Sequence, residues 1–278
     1  MRGLREIFLL CTVVLSLSVT GGAQQAGAAS RSLDMAFQKL VMAHYLNHWA
    51  TPQTVGGWDG WAWDGDGCGL GYHDPDRILV NGRRDIASVY YPLIGPYDVS
   101  VQAVMEYHIR LAKASGIDAF IVDWDGITGY ESFPRINSNF ASMLKLAERM
   151  NFSLAVDYDA HRYYLGQNGP KLTLFHNRVE ALLQMQNDLK YVVQKFGPSQ
   201  AYLKYDGLPV VFEFGGSSVL KGGDWKQVFD ALSCEGIHGK YFRFYFGGDS
   251  YYPPFSGFAP WLEPGLAATG KTDPAAYI

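Results

Sequence analysis

Residues Ala119 to Val122 form an unbroken apolar run that ends abruptly in Asp123-Trp124-Asp125. A strand with no polar alternation must be covered on both faces, which is the situation of a parallel sheet under crossover helices. Related runs recur at Leu40 to Tyr45, Ser153 to Val156, Pro209 to Phe214, Tyr241 to Phe246 and Phe258 to Leu262. Helical patterns alternate with them. The first spans Val101 to Ser115, with Val101, Val104, Met105, Leu111 and Ala112 on one face and Gly116 just past its end. Others span Asn139 to Met150, Phe175 to Phe196 (closed by Gly197-Pro198) and Trp225 to Cys234. The alternation predicts an α/β chain of the (β/α)8 TIM-barrel type, incomplete, with about six βα units over residues 35–278. Thr272-Asp273-Pro274 reads as a further helix start, and the missing units are expected beyond Ile278. No G-x-G-x-x-G follows the first strand, so a dinucleotide fold has no support.

In such a barrel the chemistry sits where strands end at the C-terminal face. That rule selects His44, Tyr45, Asn47, His48 and Trp49 from the first strand, and Asp123, Trp124 and Asp125 from the second. It adds Asp157, Tyr158 and Asp159 from the third, Glu213 from the fourth and Asp249 after the fifth. Carboxylates beside aromatic rings suit glycoside hydrolysis, in which two carboxyl groups flank the scissile bond and rings stack on sugar faces. Asp123, Asp159 and Glu213 are the candidate catalytic residues. A Glu at the end of so apolar a strand would hold its proton unless paired, as an acid catalyst requires. His44, Tyr45, Trp49, Tyr91, Trp124, Asp125 and Tyr158 are the candidate substrate-binding residues. The bland reading of a strand-end carboxylate is that it caps the next helix.

No metal and no cofactor is expected. His44 and His48 stand four apart at a strand end, a spacing that serves a metal on a helix. Asp64-Gly65-Asp66-Gly67 lacks the later ligands of a calcium loop and reads as a turn. Gly215-Gly216-Ser217-Ser218 is not followed by the Lys of a phosphate loop, and no G-x-S-x-G elbow occurs. The net charge of −4 and the absence of a basic stripe exclude a nucleic-acid partner.

One block carries more than its composition. Asn81 to Asp98 includes Tyr90-Tyr91-Pro92-Leu93-Ile94-Gly95-Pro96-Tyr97-Asp98, and after a helix comes Gly116-Ile117-Asp118-Ala119-Phe120-Ile121-Val122-Asp123-Trp124-Asp125-Gly126. With His44-Tyr45-Leu46-Asn47-His48-Trp49 ahead of it and Tyr202 to Val211 behind, the order resembles glycoside hydrolases of the family 99 and family 71 type. The resemblance implies a barrel hydrolase acting on α-linked mannans, glucans or related oligosaccharides and polysaccharides. It also implies a sugar-binding mouth that includes Tyr45, Tyr91, Trp124 and Asp159. Relatives tend to carry Glu where Asp159 stands, and Trp or Tyr where Asp125 stands. The late acidic segment that would supply the family's catalytic pair has no counterpart before Ile278. Two expectations follow: a glycoside hydrolase completed by further strands, or a non-catalytic carbohydrate-binding relative.

Met1-Arg2-Gly3-Leu4-Arg5 is a basic start, and Ile7 to Val19 is an apolar run too short to span a membrane comfortably. Ala26-Gly27-Ala28 offers a cleavage site, so residues 1–28 read as a signal peptide and the product as a secreted or periplasmic monomer without a membrane span. Cys68 and Cys234 would then be the remaining cysteines, with Cys234 expected as a free buried thiol on a helical face. N-terminal sequencing of exported protein should begin close to residue 29; an intact Met1 on it would reject the leader.

Overall fold

The barrel is built from strands that pair in the order in which they occur. The computed structural model describes residues 12–15, 40–62, 73–88, 90–128, 133–159, 178–214, 222–245 and 254–260. The expectations for Asp64 to Gly67, Cys68, Gly215 to Ser218, Asp249 and Thr272 to Pro274 lie outside the described residues. β1 (Thr12–Leu15) runs antiparallel beside β2 (Leu40–Tyr45). From β2 the sheet continues in parallel through β3 (Ala119–Trp124) and β4 (Ser153–Asp159), then β6 (Leu208–Phe214), β7 (Lys240–Tyr245) and β8 (Gly257–Pro260). These parallel strands form an incomplete TIM-barrel-like half-barrel. β5 (Lys204–Tyr205) folds back on β6 as a short antiparallel hairpin. Its turn, Asp206-Gly207, has φ values of 51° and 74°. That doubly left-handed turn is the one Asp-Gly favours, and the dipeptide is the signal by which the hairpin is legible.

Helices α2 (Gln102–Ala114), α3 (Phe133–Met150), α4 (Arg178–Tyr191) and α5 (Gly222–Cys234) connect successive strands. A four-residue helix, α1 (Pro52–Val55), lies in the long loop after β2. The expected Phe175 to Phe196 helix is α4 followed by a π-helical turn, Val192–Phe196. The buried stripe of α2 is Met105, Ile109 and Ala112, while Val101 and Leu111 face out. At 3.6 residues per turn these three positions return to one side and Leu111 does not, while Val101 is the extended N-cap residue and stands outside the helical phase. Cys234 is exposed, not buried: the sheet-facing positions of α5 are Trp225, Val228 and Leu232, and Cys234 falls on the other side of its last turn. No helix among the described residues is long and apolar enough to cross a membrane.

Alternation along each strand divides the core in two. Ala43, Phe120, Val122, Trp124, Leu154, Val156, Tyr158 and Val211 pack against the helices, with Phe140, Met185 and Phe196 among their partners. Leu40, Met42, Ala119, Ile121, Ala155, Val210, Phe212, Phe242 and Phe244 fill the inner face of the sheet. Side chains two apart share a face of a strand, so residue parity decides which layer each strand-end group enters.

The loop between β2 and α2 has its own polar lock. Asp85 accepts from His73 Nδ1 at 2.7 Å, from the backbone of Asp74 at 3.3 Å and from Arg77. The His73 hydrogen bond, opposed by burial and assisted by Arg77, holds the Asp85 carboxyl down at about 2. A carboxyl depressed in the folded state contributes stability above its unfolded pKa and loses it as pH falls through the folded one. Acid unfolding should therefore cost the wild type more between about pH 4 and 2 than Asp85→Asn, which begins less stable at neutral pH. Parallel pH curves for the two proteins would refute the lock.

Candidate functional site

The register of β3 on β4 sets Asp123 beside Asp157 and Trp124 beside Tyr158. Because faces alternate, the two carboxylates enter the inner layer and the two aromatic rings enter the helix layer. Asp123, Asp125 and Asp159 converge at the C-terminal ends of β3 and β4. Each offers an oxygen within 4.8 Å of the others, and all three are buried. The Nδ1 of His48 lies 3.5 Å from Asp123 Oδ2.

Beneath them His44 binds Asp157, Nε2 to Oδ2, at 2.6 Å. The imidazole stacks on Phe214 (6.0 Å, 25°) and meets Phe244 edge-on (6.1 Å, 84°), so the pair is walled by rings from β6 and β7. Burial pushes Asp157 up to about 6 against the pull of His44, with the charges of Asp123 and Asp159 adding to the rise. Burial works against charge on His44 too, but the bond to Asp157 and the surrounding carboxylates raise its pKa overall. The floor of the site thus holds a proton between an imidazole and a carboxylate.

Several predicted residues lie elsewhere. Trp124 is fully buried under the helices, its Nε1 donating to Asn137 Oδ1 at 3.2 Å and its ring parallel to Tyr191 (6.2 Å, 6°). Tyr158 is equally buried and donates to Asp188 Oδ2 at 2.9 Å. Tyr45 stacks on Phe120 at 4.8 Å and is bonded to His108 Nδ1 at 2.9 Å. Burial drives His108 down to about 4, so its neutral ring accepts the phenol proton. Glu213 also points to the helix side, where its Oε2 lies 3.3 Å from Arg243 Nε, both side chains buried. The structure therefore brings together His44, Asp123, Asp125 and Asp159, and separates Tyr45, Trp124, Tyr158 and Glu213 from them.

Trp49 and Tyr91 belong to the wall of the long loop. The Trp49 ring packs on Trp61 at 4.4 Å and near His48 at 5.2 Å. A Cβ on Gly60 would come within 2.4 Å of the Trp49 ring, so only glycine admits that approach. Tyr91 takes a backbone hydrogen bond from Arg84 and has the Arg83 guanidinium 5.0 Å from its ring. Phe214 and Phe244 were not among the expected site residues. Counting by twos from the ends of β6 and β7 is the signal that finds them.

No protein-family model matches the chain. The glycoprotein endo-alpha-1,2-mannosidase of Rattus norvegicus is 25% identical over 250 residues, which is 78% of this chain and 48% of that protein. Its counterpart in Xenopus laevis is 22% identical over 175 residues, covering 60% of this chain and 33% of its own length. The chain thus spans half or less of the curated relatives it matches. The solved GH99 endo-alpha-mannosidase from Bacteroides thetaiotaomicron superposes with a TM-score of 0.53 and 18% identity, covering 73% of this chain and 55% of that one. Its complex with BIS-TRIS-propane gives a TM-score of 0.55 and 16% identity, covering 78% and 57%. These structures share the fold.

The helix-layer position of Trp124 sets its mutational outcome. Trp124→Ala should cost about 3–5 kcal/mol of stability, as large-to-small changes at buried aromatics do. Denaturant unfolding measures this; a variant as stable as the wild type would place the ring outside the core.

Proposed function

We propose that this chain, a distant GH99 endo-α-mannosidase-like protein over the part compared, forms the glycan-handling mouth of a glycoside hydrolase acting on α-linked mannose glycans. The observation that carries the reading is the convergence of Asp123, Asp125 and Asp159 at the C-terminal ends of parallel strands. Barrel enzymes assemble their chemistry at that rim. Ionised carboxylates there accept hydrogen bonds from sugar hydroxyls in an enclosed space, where such bonds are about twice as strong as neutral ones. His48, beside Asp123, and Trp49, beside His48, extend the mouth outward. The basic start and apolar run of residues 1–28 support export, which brings such a protein to extracellular or periplasmic glycans.

A second reading, glycan binding without hydrolysis, is favoured by one observation. Glu213 is engaged with Arg243 in the helix layer, so it is not available to face Asp123 or Asp159 across a glycosidic bond. Calorimetric titration with an α-1,2-linked mannose oligosaccharide tests the shared core of both readings. Saturable binding is expected, with Asp159→Asn weakening it about tenfold, the equivalent of one charged hydrogen bond. No saturable binding, or unchanged affinity in the variant, overturns the assignment of the mouth. Release of reducing sugar by the same protein selects hydrolysis; binding without release selects the second reading.

A further inference from the structure

The inner face of the sheet is half acid and half ring where it approaches the mouth. In the lower of two layers the register sets Asp123 beside Asp157, Asp157 beside Phe212 and Phe212 beside Phe242. In the layer above, Asp159 stands beside Phe214. Asp125 is gathered against Asp159 on one side, and the Phe244 ring lies 6.0 Å from Phe214 on the other. Two strands that carry carboxylates thus meet two strands that carry phenyls, and the seam between them follows β4 and β6. His44 straddles the seam, with Nε2 bonded to Asp157 and its ring stacked on Phe214. Phe212, Phe242 and Phe244 are buried in the core, whereas Phe214, the last residue of β6, is only partly buried.

We infer, resting on the glycan reading proposed above, that Phe214 is the stacking platform of the mouth, taking the C–H face of a pyranose whose hydroxyls reach Asp159. A pyranose is divided as the seam is: its C–H groups make an apolar face, and its hydroxyls project from the edge. Neighbouring strands lie about 4.8 Å apart, so a sugar resting on Phe214 has one edge beside the Asp159 carboxylate. That carboxylate accepts a hydrogen bond from an edge hydroxyl more strongly than a neutral group would. The phenyl meanwhile takes the C–H face out of water. His44 acts as a positioning residue for the platform. Its imidazole lies 25° from the plane of the Phe214 ring, and the 2.6 Å bond to fully buried Asp157 fixes that imidazole in turn. Trp124, expected in the stacking role, is enclosed on the other side of the sheet. Phe214 is the partly exposed ring that the pleat sends inward.

Calorimetric titration of the full chain with an α-1,2-linked mannotriose compares the wild type with Phe214→Leu and Phe214→Tyr. Leu keeps the apolar volume and removes the ring, and should weaken binding about three- to tenfold, the range of one aromatic contact. Tyr keeps the ring and should bind as the wild type does. Proton NMR of the trisaccharide adds a readout that a loss of packing does not imitate and that needs no variant. Sugar C–H signals should move upfield on binding to the wild type, under the ring current of Phe214, and should not do so with Phe214→Leu. A wild type without saturable binding overturns the glycan reading and the Phe214 platform together. If the wild type binds, an equally tight Phe214→Leu, or no upfield shift with the wild type, overturns the platform alone and leaves the carboxylate mouth in place. A Phe214→Tyr as weak as Phe214→Leu also overturns it, because the sugar would then not be using the ring.

Discussion

Everything at the rim of this half-barrel depends on the two-residue repeat of its strands. At each strand end two adjacent residues carry chemical interest, and the pleat sends them to opposite sides: His44 and Tyr45, Asp123 and Trp124, Asp159 and Tyr158. The inward members meet one another, and the outward members are absorbed by helices. A change of one residue in strand length would exchange these sets, replacing a carboxylate mouth by an aromatic one.

The two layers satisfy their polar groups in different ways. In the helix layer several buried polar groups share dedicated partners. Asp188, fully buried on α4, accepts from Tyr158, from the Ile127 backbone at 3.0 Å and from Gln184 at 2.9 Å. Asn137 links Trp124 to Tyr191. Such closed networks fix one packing of helix on sheet, because every alternative strands a polar atom. The inner layer is graded instead. Apolar residues from Leu40 to Phe242 fill its lower part, and charge accumulates only where the strands end. The His44 and Asp157 pair marks that boundary, with Phe214 and Phe244 excluding water from its sides.

Much of this organisation was legible in the chain itself. Continuous apolar strands and intervening amphipathic segments carried the parallel topology, and the order of strands followed from short connections. Asp123, Asp125, Asp159 and His44 were legible as strand-end residues of the barrel. Position along the strand places Trp124, Tyr158 and Tyr45 at the mouth, but the pleat turns all three to the helix side. A ring at a strand end is equally suited to a sugar and to a helix, and only parity separates the two. Glu213 shows the complementary difficulty. Its partner Arg243 is thirty residues away on the next strand, a distance that no local pattern reports. The buried stripe of α2 differed from expectation for a simpler reason: Val101 precedes the helix, so its side chain does not share the helical phase.

The Glu213 and Arg243 pair also has a bearing on how the later strands align. The two residues stand opposite each other where β6 meets β7. Aromatic neighbours on either side, Phe212, Phe214, Phe242 and Phe244, are nearly interchangeable in shape and would tolerate a shifted alignment. The ions would not. A one-position slip of β7 would turn the guanidinium into the ring-lined interior and leave a phenyl opposite the carboxylate, and burying a separated charge is far more costly than misplacing a ring. The pair thus serves as a key that admits a single alignment, in a region where apolar packing alone would leave several nearly equal.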